Sequence, residues 1–590
     1  MILFCPPARA ELPSPDTRWV FLGKSAARRD KTAARLGRPP SPLKGLLHRE
    51  ADRLRGPFLD WVAALGKDQA DPAAWWAGTL PWKAWSASDL FLLACYQALC
   101  LRLAETPGLV PGAGAGLTVV VEDPWLLAQL AGALKGPPSV RFSSLPGLRR
   151  PVLAAISLGI ARRVKWALRM ALSRALQVRH SRQRTPLPGR GGVLIYTHLL
   201  ARSLEGKDGW KEFYLPGLDR ELAAEGIPVL RCTYPDTTGW ERELAARQRH
   251  TVPLILYSSW PDVGEALLSL PPRPPRIGRF DGQAVDLLLE REWWHDLSRA
   301  GRCAYLLLRA CAGRFLRAAR WRALIFPWES QPQERMIVLA ARESGVRTVG
   351  YQHTTVPRMQ MPLFAGRGED AWAPLPDIIL TSGPHPTRML ERGGLARERL
   401  RLAGSRRYPH LAAAVPGAPK NTAPARGDTV LVLLPVDRDQ SLHMLAAFAR
   451  AYPNGGDFRI LVKPHPATPV SRRDIRFPAE IASGDFPQAL ERCGLVVFSG
   501  STAGLEALLA GRRVLRYRPE TLLDFDPSEI LTDDELPTAG DGDLRERLEE
   551  LRRGEAPRPS SRAGKALGEL FSPVEPKLWL EAVAGTEGLG

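Results

Sequence analysis

The chain has 590 residues, too many for one hydrophobic core, and its 45% hydrophobic and 24% charged residues argue against wholesale disorder. Lysine and arginine number 81 against 62 acidic residues, a formal charge of +19 that favours anionic partners such as nucleic acid, phosphorylated molecules or an anionic membrane surface. Seven cysteines without a CxxC pair indicate neither a zinc site nor a disulfide framework, and the absence of about 18 consecutive apolar residues predicts no spanning helix. The opening MILFCPPARAELPSP has no basic stretch and only a short apolar run, so a cytoplasmic protein is expected.

Residues 1–150 read as a mixed α/β extension with WVFLG (19–23) and LTVVVED (117–123) as strands; Trp75, Trp76, Trp82 and Trp85 read as packing anchors. Over 151–189 the pattern turns helical and basic. Ile160, Val164, Leu168, Leu172 and Leu176 recur every four residues among Arg162, Arg163, Arg169, Arg174 and Arg179. Two readings stand: a helix lying on an anionic membrane surface, or a long solvated helix packed on the body of the protein. RCAYLLLRACAGRFLRAARWRALIF (302–326) repeats the character.

From 190 to 411, short apolar runs alternate with helical patterns. VLIYTHLL (193–200), IPVLRCTY (227–234), PLILYSSW (253–260), ALIFPWES (323–330), RTVGYQHT (347–354) and DIILTSGP (377–384) read as strands, which predicts βαβ units and a parallel sheet covered on both faces. Residues 412–428, rich in Pro, Ala and Gly, read as a linker. The alternation restarts over 429–575 with TVLVLLP (429–435), FRILVKPHP (458–466), LVVFSG (495–500) and RRVLRY (512–517), and 576–590 read as a C-terminal helix and tail. The expected fold class is α/β, with two doubly wound, Rossmann-like lobes facing a cleft.

Ligands of open parallel sheets bind beyond the carboxyl ends of the strands, which singles out two loops of the second lobe. In Lys463-Pro464-His465-Pro466 the prolines restrict the backbone on both sides of an imidazole. In Ser499-Gly500-Ser501-Thr502 small residues admit a phosphate, hydroxyls donate to it, and a helix opening at Thr502 adds N–H groups and a positive dipole. Glu506, one turn further, could accept from ribose hydroxyls. Together these predict a nucleotide-phosphate site, while a plain N-cap role for Ser501 or Thr502 and a surface role for Glu506 stay open. Asp437, in the DRD at 437–439, reads as loop polarity near the donor, and GSRRY (404–408) offers Arg406 or Arg407 for phosphate neutralisation. No metal site is expected.

At these residues the chain resembles the nucleotide-binding half of GT-B glycosyltransferases, in particular the groups with an HP motif and a Ser/Thr motif: bacterial sialyltransferases and polysialyltransferases, capsule Kdo transferases and CDP-glycerol glycerophosphotransferases. The resemblance implies that His465, Ser501 and Thr502 hold the donor's phosphate, with Lys463, Ser499 and Glu506 around them, and that the donor is CMP-linked. PWESQPQERMIVLAARESGVRTVGYQHTTVP (327–357) resembles bacterial surface-carbohydrate biosynthesis proteins, in which a Glu follows one strand and a Gln-His pair ends the next; here these are Glu329, Glu334, Gln352 and His353. The likeness implies an acceptor-side role for His353. Imidazole chemistry suits proton abstraction from a hydroxyl, Glu329 is the rival base, and a core histidine and a helix-capping glutamate remain alternatives. The acidic motif of the sialyltransferases has only partial counterparts, Glu122-Asp123 and Asp281-Gly282.

The resemblance thus implies a metal-independent glycosyltransferase needing no cofactor beyond its nucleotide sugar. Its expected acceptor is a surface polysaccharide or lipid-linked glycan, met on the cytoplasmic side of the inner membrane, and nucleic acid is not an expected partner. A CDP-polyol phosphotransferase, a sugar-nucleotide epimerase and a non-catalytic scaffold are the alternatives.

Overall fold

The computed structural model describes residues 2–12, 16–69, 71–85, 87–113, 116–135, 139–145, 147–180, 187, 190–197, 212–234, 251–273, 279–412, 429–554 and 561–584. The expected linker lies outside them except for Ala412, as do 181–186 and 188–189 of the basic segment, 198–200 of the first strand reading and 585–590 of the tail.

Three parallel sheets organise the chain. The first holds β1 (Ile2–Cys5), β2 (Arg18–Leu22), β3 (Leu117–Val121) and β4 (Val140–Phe142) in the order β2-β3-β1-β4. The opening apolar run is thus an inner strand of this sheet. The second has seven strands: β5 (Arg190–Tyr196), β6 (Val229–Thr233) and β7 (Thr251–Pro253), then, after the hairpin of β8 (Arg279–Phe280) and β9 (Gln283–Ala284), β10 (Arg320–Pro327), β11 (Arg347–Gln352), β12 (Ile378–Thr381) and β13 (Leu400–Leu402). Its order is β13-β12-β11-β10-β5-β6-β7. The third runs β16-β15-β14-β17-β18-β19, built from β14 (Thr429–Leu433), β15 (Arg459–Lys463), β16 (Glu480–Ile481), β17 (Leu495–Phe498), β18 (Arg513–Tyr517) and β19 (Thr538–Ala539).

In chain order the third sheet reads 3-2-1-4-5-6, and the second follows the same plan with one more strand. Both are doubly wound, with the reversal between β14 and β17 in one and between β5 and β10 in the other, where a crevice opens at the carboxyl edge. Each sheet is buried on both faces, as parallel sheets are. Val430 and Val432 face a core with Phe448 and Tyr452, while Leu431 and Leu433 face Leu505 and Phe571. Val193 and Ile195 face Trp579 of the helix Pro576–Ala584, so the end of the chain crosses back to the second sheet. Trp579 donates to the Ala403 carbonyl at 2.8 Å, and the adjoining turn needs Gly404: φ is +80°, and a Cβ there would come within 1.9 Å of the Pro573 carbonyl oxygen.

The first sheet shares its core with the second. One buried cluster runs from Phe4, Val20 and Val119 through Phe58 and Phe91 to Leu307, Phe326 and Ile337, and includes Leu522 and Leu523 near the third sheet.

Two element expectations change. PLILYSSW is mostly not strand: β7 stops at Pro253, Leu254–Tyr257 form a 3₁₀ turn, and Ser259 caps the helix Trp260–Leu268 in a reciprocal capping box with Asp262. The basic stretch from 302 divides into the helix Gly301–Arg317 and strand β10.

Candidate active site between the lobes

Glu329 follows β10 at the reversal point of the second sheet. The residue after it, Ser330, takes φ +58°, a left-handed conformation uncommon outside glycine, and is 1% exposed. Arg335 holds it there, donating to Ser330 Oγ at 3.0 Å; Arg335 in turn donates to the Pro81 carbonyl at 2.9 Å and lies over the Trp76 ring at 4.1 Å. The tryptophan-rich part of the extension therefore braces the turn that carries Glu329. Helix capping falls to Glu334, whose carboxylate accepts from the backbone N–H of Glu329 (2.9 Å) and Gln331 (3.2 Å); burial, then the Glu329 charge, push its carboxyl well up. The Glu329 side chain, 32% exposed, accepts from Gln331 Nε2 at 2.6 Å.

One strand over, His353 directly follows β11. Its ring is buried, with Nε2 3.5 Å from Glu329 Oε1 and Nδ1 2.7 Å from Arg407 Nη1. A guanidinium only donates, so Nδ1 accepts and the ring proton sits on Nε2, facing Glu329. In this arrangement Nδ1 of His353 accepts from Arg407 and Nε2–H faces the carboxylate of Glu329, the more exposed of the two groups. Tyr214 packs on the imidazole at 4.8 Å between ring centroids, and Arg407 lies 5.0 Å from the rings of both Tyr214 and Tyr408.

Tyr408 carries the array across to the third sheet: its hydroxyl is 3.3 Å from Thr502 Oγ1, and His410 Nε2 is 3.2 Å from Glu506 Oε2. Thr502 precedes the helix Ala503–Leu509 without capping it, while Ser501 Oγ accepts from Ala503 N at 3.3 Å. Gly500, at φ +54°, makes the turn.

His465 lies two residues beyond β15, partly exposed. Its Nδ1 accepts from Ala467 N at 3.2 Å, which places the proton of the neutral ring on Nε2 as a donor. The loop is tied to the one after β14 by Leu434 N donating to the Lys463 carbonyl (3.1 Å) and Thr468 Oγ1 donating to the Val436 carbonyl (2.5 Å). Because β15 and β17 pair with opposite sides of β14, the histidine loop and the Ser/Thr loop flank the β14 loop, about 10 Å apart at the strand ends.

Other candidates are committed elsewhere. Arg406 is 4% exposed, forks onto Glu221 at 2.8 and 2.5 Å and stacks on Trp579 at 4.3 Å, so both its terminal nitrogens are engaged and it ties the C-terminal helix down. Gln352 is 1% exposed, donates to the Thr354 carbonyl and accepts from Ser382 N at 3.1 Å, fastening β11 to β12. Asp437 caps the helix Arg438–Ala451 by accepting from Gln440 N at 2.9 Å, and burial raises its pKa. Ser499 is not committed but is fully buried, with no hydrogen-bond partner for its hydroxyl among the described residues. Lys463 donates to the Gly484 carbonyl beyond β16, on the side of β15 away from the reversal point. The partial acidic motifs are structural too: Glu122 accepts from the N–H groups of Lys24 and Ser25 at 2.7 and 3.0 Å, Asp123 caps the helix Pro124–Ala133, and Asp281 pairs with Arg53 at 2.7 Å.

Sequence reasoning missed Tyr214, Arg335 and Tyr408; the apolar-to-aromatic spacing around them carries no local signal. Among the described residues no cluster of His, Cys, Asp and Glu could hold a metal ion, and no helix is long and apolar enough to cross a membrane.

Two doubly wound parallel lobes, with both carboxyl edges on one cleft, define a GT-B fold. No protein-family model matches the chain, and no curated protein matches its sequence. Among solved structures it is similar to a UDP-N-acetylglucosamine 2-epimerase (12% identity, TM-score 0.37, over 68% of this chain and 98% of that one). It is also similar to UDP-GlcNAc 2-epimerase from Neisseria meningitidis bound to UDP-GlcNAc (10%, 0.36, 66% and 99%), and to UGT89C1 from Arabidopsis thaliana complexed with quercetin (12%, 0.34, 67% and 96%). The fold is assigned from strand order and direction.

Proposed function

We propose that the protein is a metal-independent glycosyltransferase that binds a CMP-activated sugar at the carboxyl edge of the third sheet and transfers it to a glycan hydroxyl presented at Glu329. The observation that carries this reading is the continuous array Glu329–His353–Arg407–Tyr408–Thr502, which joins the reversal point of one lobe to the Ser/Thr loop of the other. In this mechanism His465 Nε2, Ser501 and Thr502 hold the phosphate and offset the charge that develops on the leaving nucleotide. Arg407 fixes the His353 tautomer, His353 aims Glu329, and Glu329 takes the acceptor proton. The CMP preference rests on the HP and Ser/Thr resemblance.

A thermal-shift panel of CMP, CDP, UDP and GDP tests the donor side, with CMP expected to give the largest shift. Glu329→Gln is expected to lower turnover of a labelled CMP-sugar by about 10² to 10⁴ while leaving the CMP shift in place. A panel in which no nucleotide shifts the protein, or full activity in Glu329→Gln, would sink the proposal.

The acceptor is proposed to be lipid-linked, because one side of the protein suits an anionic bilayer. The helix Arg149–His180 contains no acidic residue, and its outer face leaves Leu153, Ile160, Val164, Leu168 and Leu172 between 50% and 67% exposed, beside Arg162, Lys165 and Arg169. An apolar stripe edged by cations is what an in-plane membrane helix requires.

A further inference from the structure

A second cavity, of about 510 Å³, lies where the extension meets the lobe of the second sheet. Four parts of the chain wall it: Lys24 after β2, the tryptophan-rich turn between 77 and 89, the helix Arg149–His180 through Arg162, and the junction of helices Asp286–Leu297 and Gly301–Arg317. None of its lining residues belongs to the interlobe array.

The walls are unbalanced in charge. Lys24, Arg162, Arg299 and Arg302 face Asp89 and Asp296, an excess of two cations. These cations are held in place by the protein itself: Arg299 donates to the Ala87 carbonyl at 2.6 Å, Arg162 to the Ser298 carbonyl at 3.1 Å, and Arg302, 2% exposed, to the Ala74 carbonyl at 2.6 Å and Asp296 at 3.1 Å. Arg302 Nε and His295 Nδ1, both at the cavity wall and both shielded from solvent, have no hydrogen-bond partner. The N-terminus of the 17-residue helix Gly301–Arg317, which no side chain caps, opens into the same space at Ala300 and Gly301. Burial and then Arg299 and Arg291 hold His295 down at about 4, so at neutral pH the imidazole adds no charge and keeps one nitrogen as an acceptor.

Lys24 pairs with Asp89 at 3.0 Å and Arg302 with Asp296 at 3.1 Å, which leaves the positioned guanidinium groups of Arg162 and Arg299 without a carboxylate among the lining residues, beside an uncapped helix end: the makings of an anion receptor. We infer that this cavity binds the phosphate or diphosphate group of a second ligand, distinct from the nucleotide held between the lobes. Its volume admits a diphosphate with part of its ester. Two sources share that chemistry: a free phosphate ester, and a membrane-anchored diphosphate ester whose chain would leave past Arg162 along the exposed apolar face of Arg149–His180.

The test is calorimetric titration of the full chain with inorganic pyrophosphate. Saturable binding is expected, weakened at least tenfold in the pair Arg162→Gln and Arg299→Gln and unchanged in His465→Ala. Because Arg299 also fastens Ala87, Arg162→Glu alone, on the exposed helix flank, serves as the second variant and should weaken binding several-fold with an unchanged melting temperature. Two results overturn the proposal: binding that is indifferent to both arginine variants, or binding abolished by His465→Ala, which would mean that pyrophosphate enters the interlobe site. A C15 prenyl diphosphate in phosphatidylcholine vesicles separates the sources. Binding at least tenfold tighter than pyrophosphate assigns the cavity to a membrane-anchored ester, and equal binding assigns it to a free one. The interlobe reading is scored separately by the CMP shift, which neither arginine variant should change.

Discussion

Two basic helices of nearly the same composition behave in opposite ways. Gly301–Arg317 turns its apolar face inward, with Leu307 and Leu308 at 0% exposure and Phe315 at 1%, and pairs its outer arginines, Arg309 with Glu343 at 2.6 Å and Arg314 with Asp262. Arg149–His180 does the reverse. It buries Gly159, Arg163, Trp166, Met170 and Ser173 and turns Leu153, Leu158, Leu168 and Leu172 outward. Gly159 permits the close approach, since a Cβ there would lie 2.8 Å from the Leu297 carbonyl oxygen, and Arg163 donates to the carbonyls of Leu267 and Ser269 at 3.0 and 2.6 Å. Periodicity thus reports that a helix has an apolar face; which face meets the protein depends on the partner's shape and on what the buried polar groups can reach.

The difference is most sharply tested by truncating a leucine on each helix. Leu307→Ala removes side-chain volume from a closed core and is expected to lower unfolding free energy by about 2–5 kcal/mol, read from urea transitions. Leu168→Ala, at 67% exposure, should stay within about 0.5 kcal/mol. Equal losses from the two would mean that the outer stripe is covered by something.

Acid should act next most strongly, through histidines that the packed regions keep neutral. His443, fully buried between the extension and the third sheet, accepts from Arg29 at 3.1 Å through Nδ1 and donates to the Lys24 carbonyl at 2.9 Å. Burial, then Arg29, depress its pKa to about 4. Between about 4 and 6.5 the unfolded chain therefore binds more protons than the folded one, and stability falls as pH drops through that window. The loss is about 3 kcal/mol for His443. His295, in the cavity beside Arg149–His180, shifts the same way with a side chain 31% exposed, so its share is nearer 1 kcal/mol. His443→Gln should flatten most of the slope between pH 6.5 and 4 in urea midpoints, and His295→Gln a smaller part; an unchanged slope in His443→Gln would assign the acid sensitivity to other groups.

The strands of the third sheet were legible because each is a short run of Val, Leu, Ile or Phe closed by turn residues, and alternation with helices leaves few orders for a parallel sheet. PLILYSSW misled because a four-residue apolar run has the same periodicity in a strand and in a turn of helix, and the capping pair Ser259–Asp262 decided the matter. The histidine and Ser/Thr loops were visible as unusual small-residue and proline patterns at strand ends. The roles of Gln352, Arg406 and Asp437 were not. Arg406 is claimed by Glu221 and Trp579, 185 and 173 positions away in the chain, and the His353 tautomer is set by Arg407, 54 positions on. Residue type announces what a side chain can do, and long-range packing decides whether it is free to do it. The extension shows the same limit: Trp76 was legible as an anchor, but its grip on Arg335, and through it on the turn beside Glu329, exists only in three dimensions.

The smallest effect on folding should accompany a large effect on location. Val164→Asp with Leu168→Asp places two carboxylates on the exposed stripe, 50% and 67% exposed, where they disturb no buried contact, so the urea midpoint should barely move. On vesicles with 30% anionic lipid the same pair should weaken binding more than tenfold, because two side chains that would enter the interface are replaced by charges repelled by it; tenfold corresponds to about 1.4 kcal/mol. Raising the salt should weaken the unaltered protein as well, since Arg162, Lys165 and Arg169 act through a screened field. Binding that withstands both the double substitution and salt would mean that the outward leucines face a protein partner, leaving the contrast between the two helices intact and changing only what covers one of them.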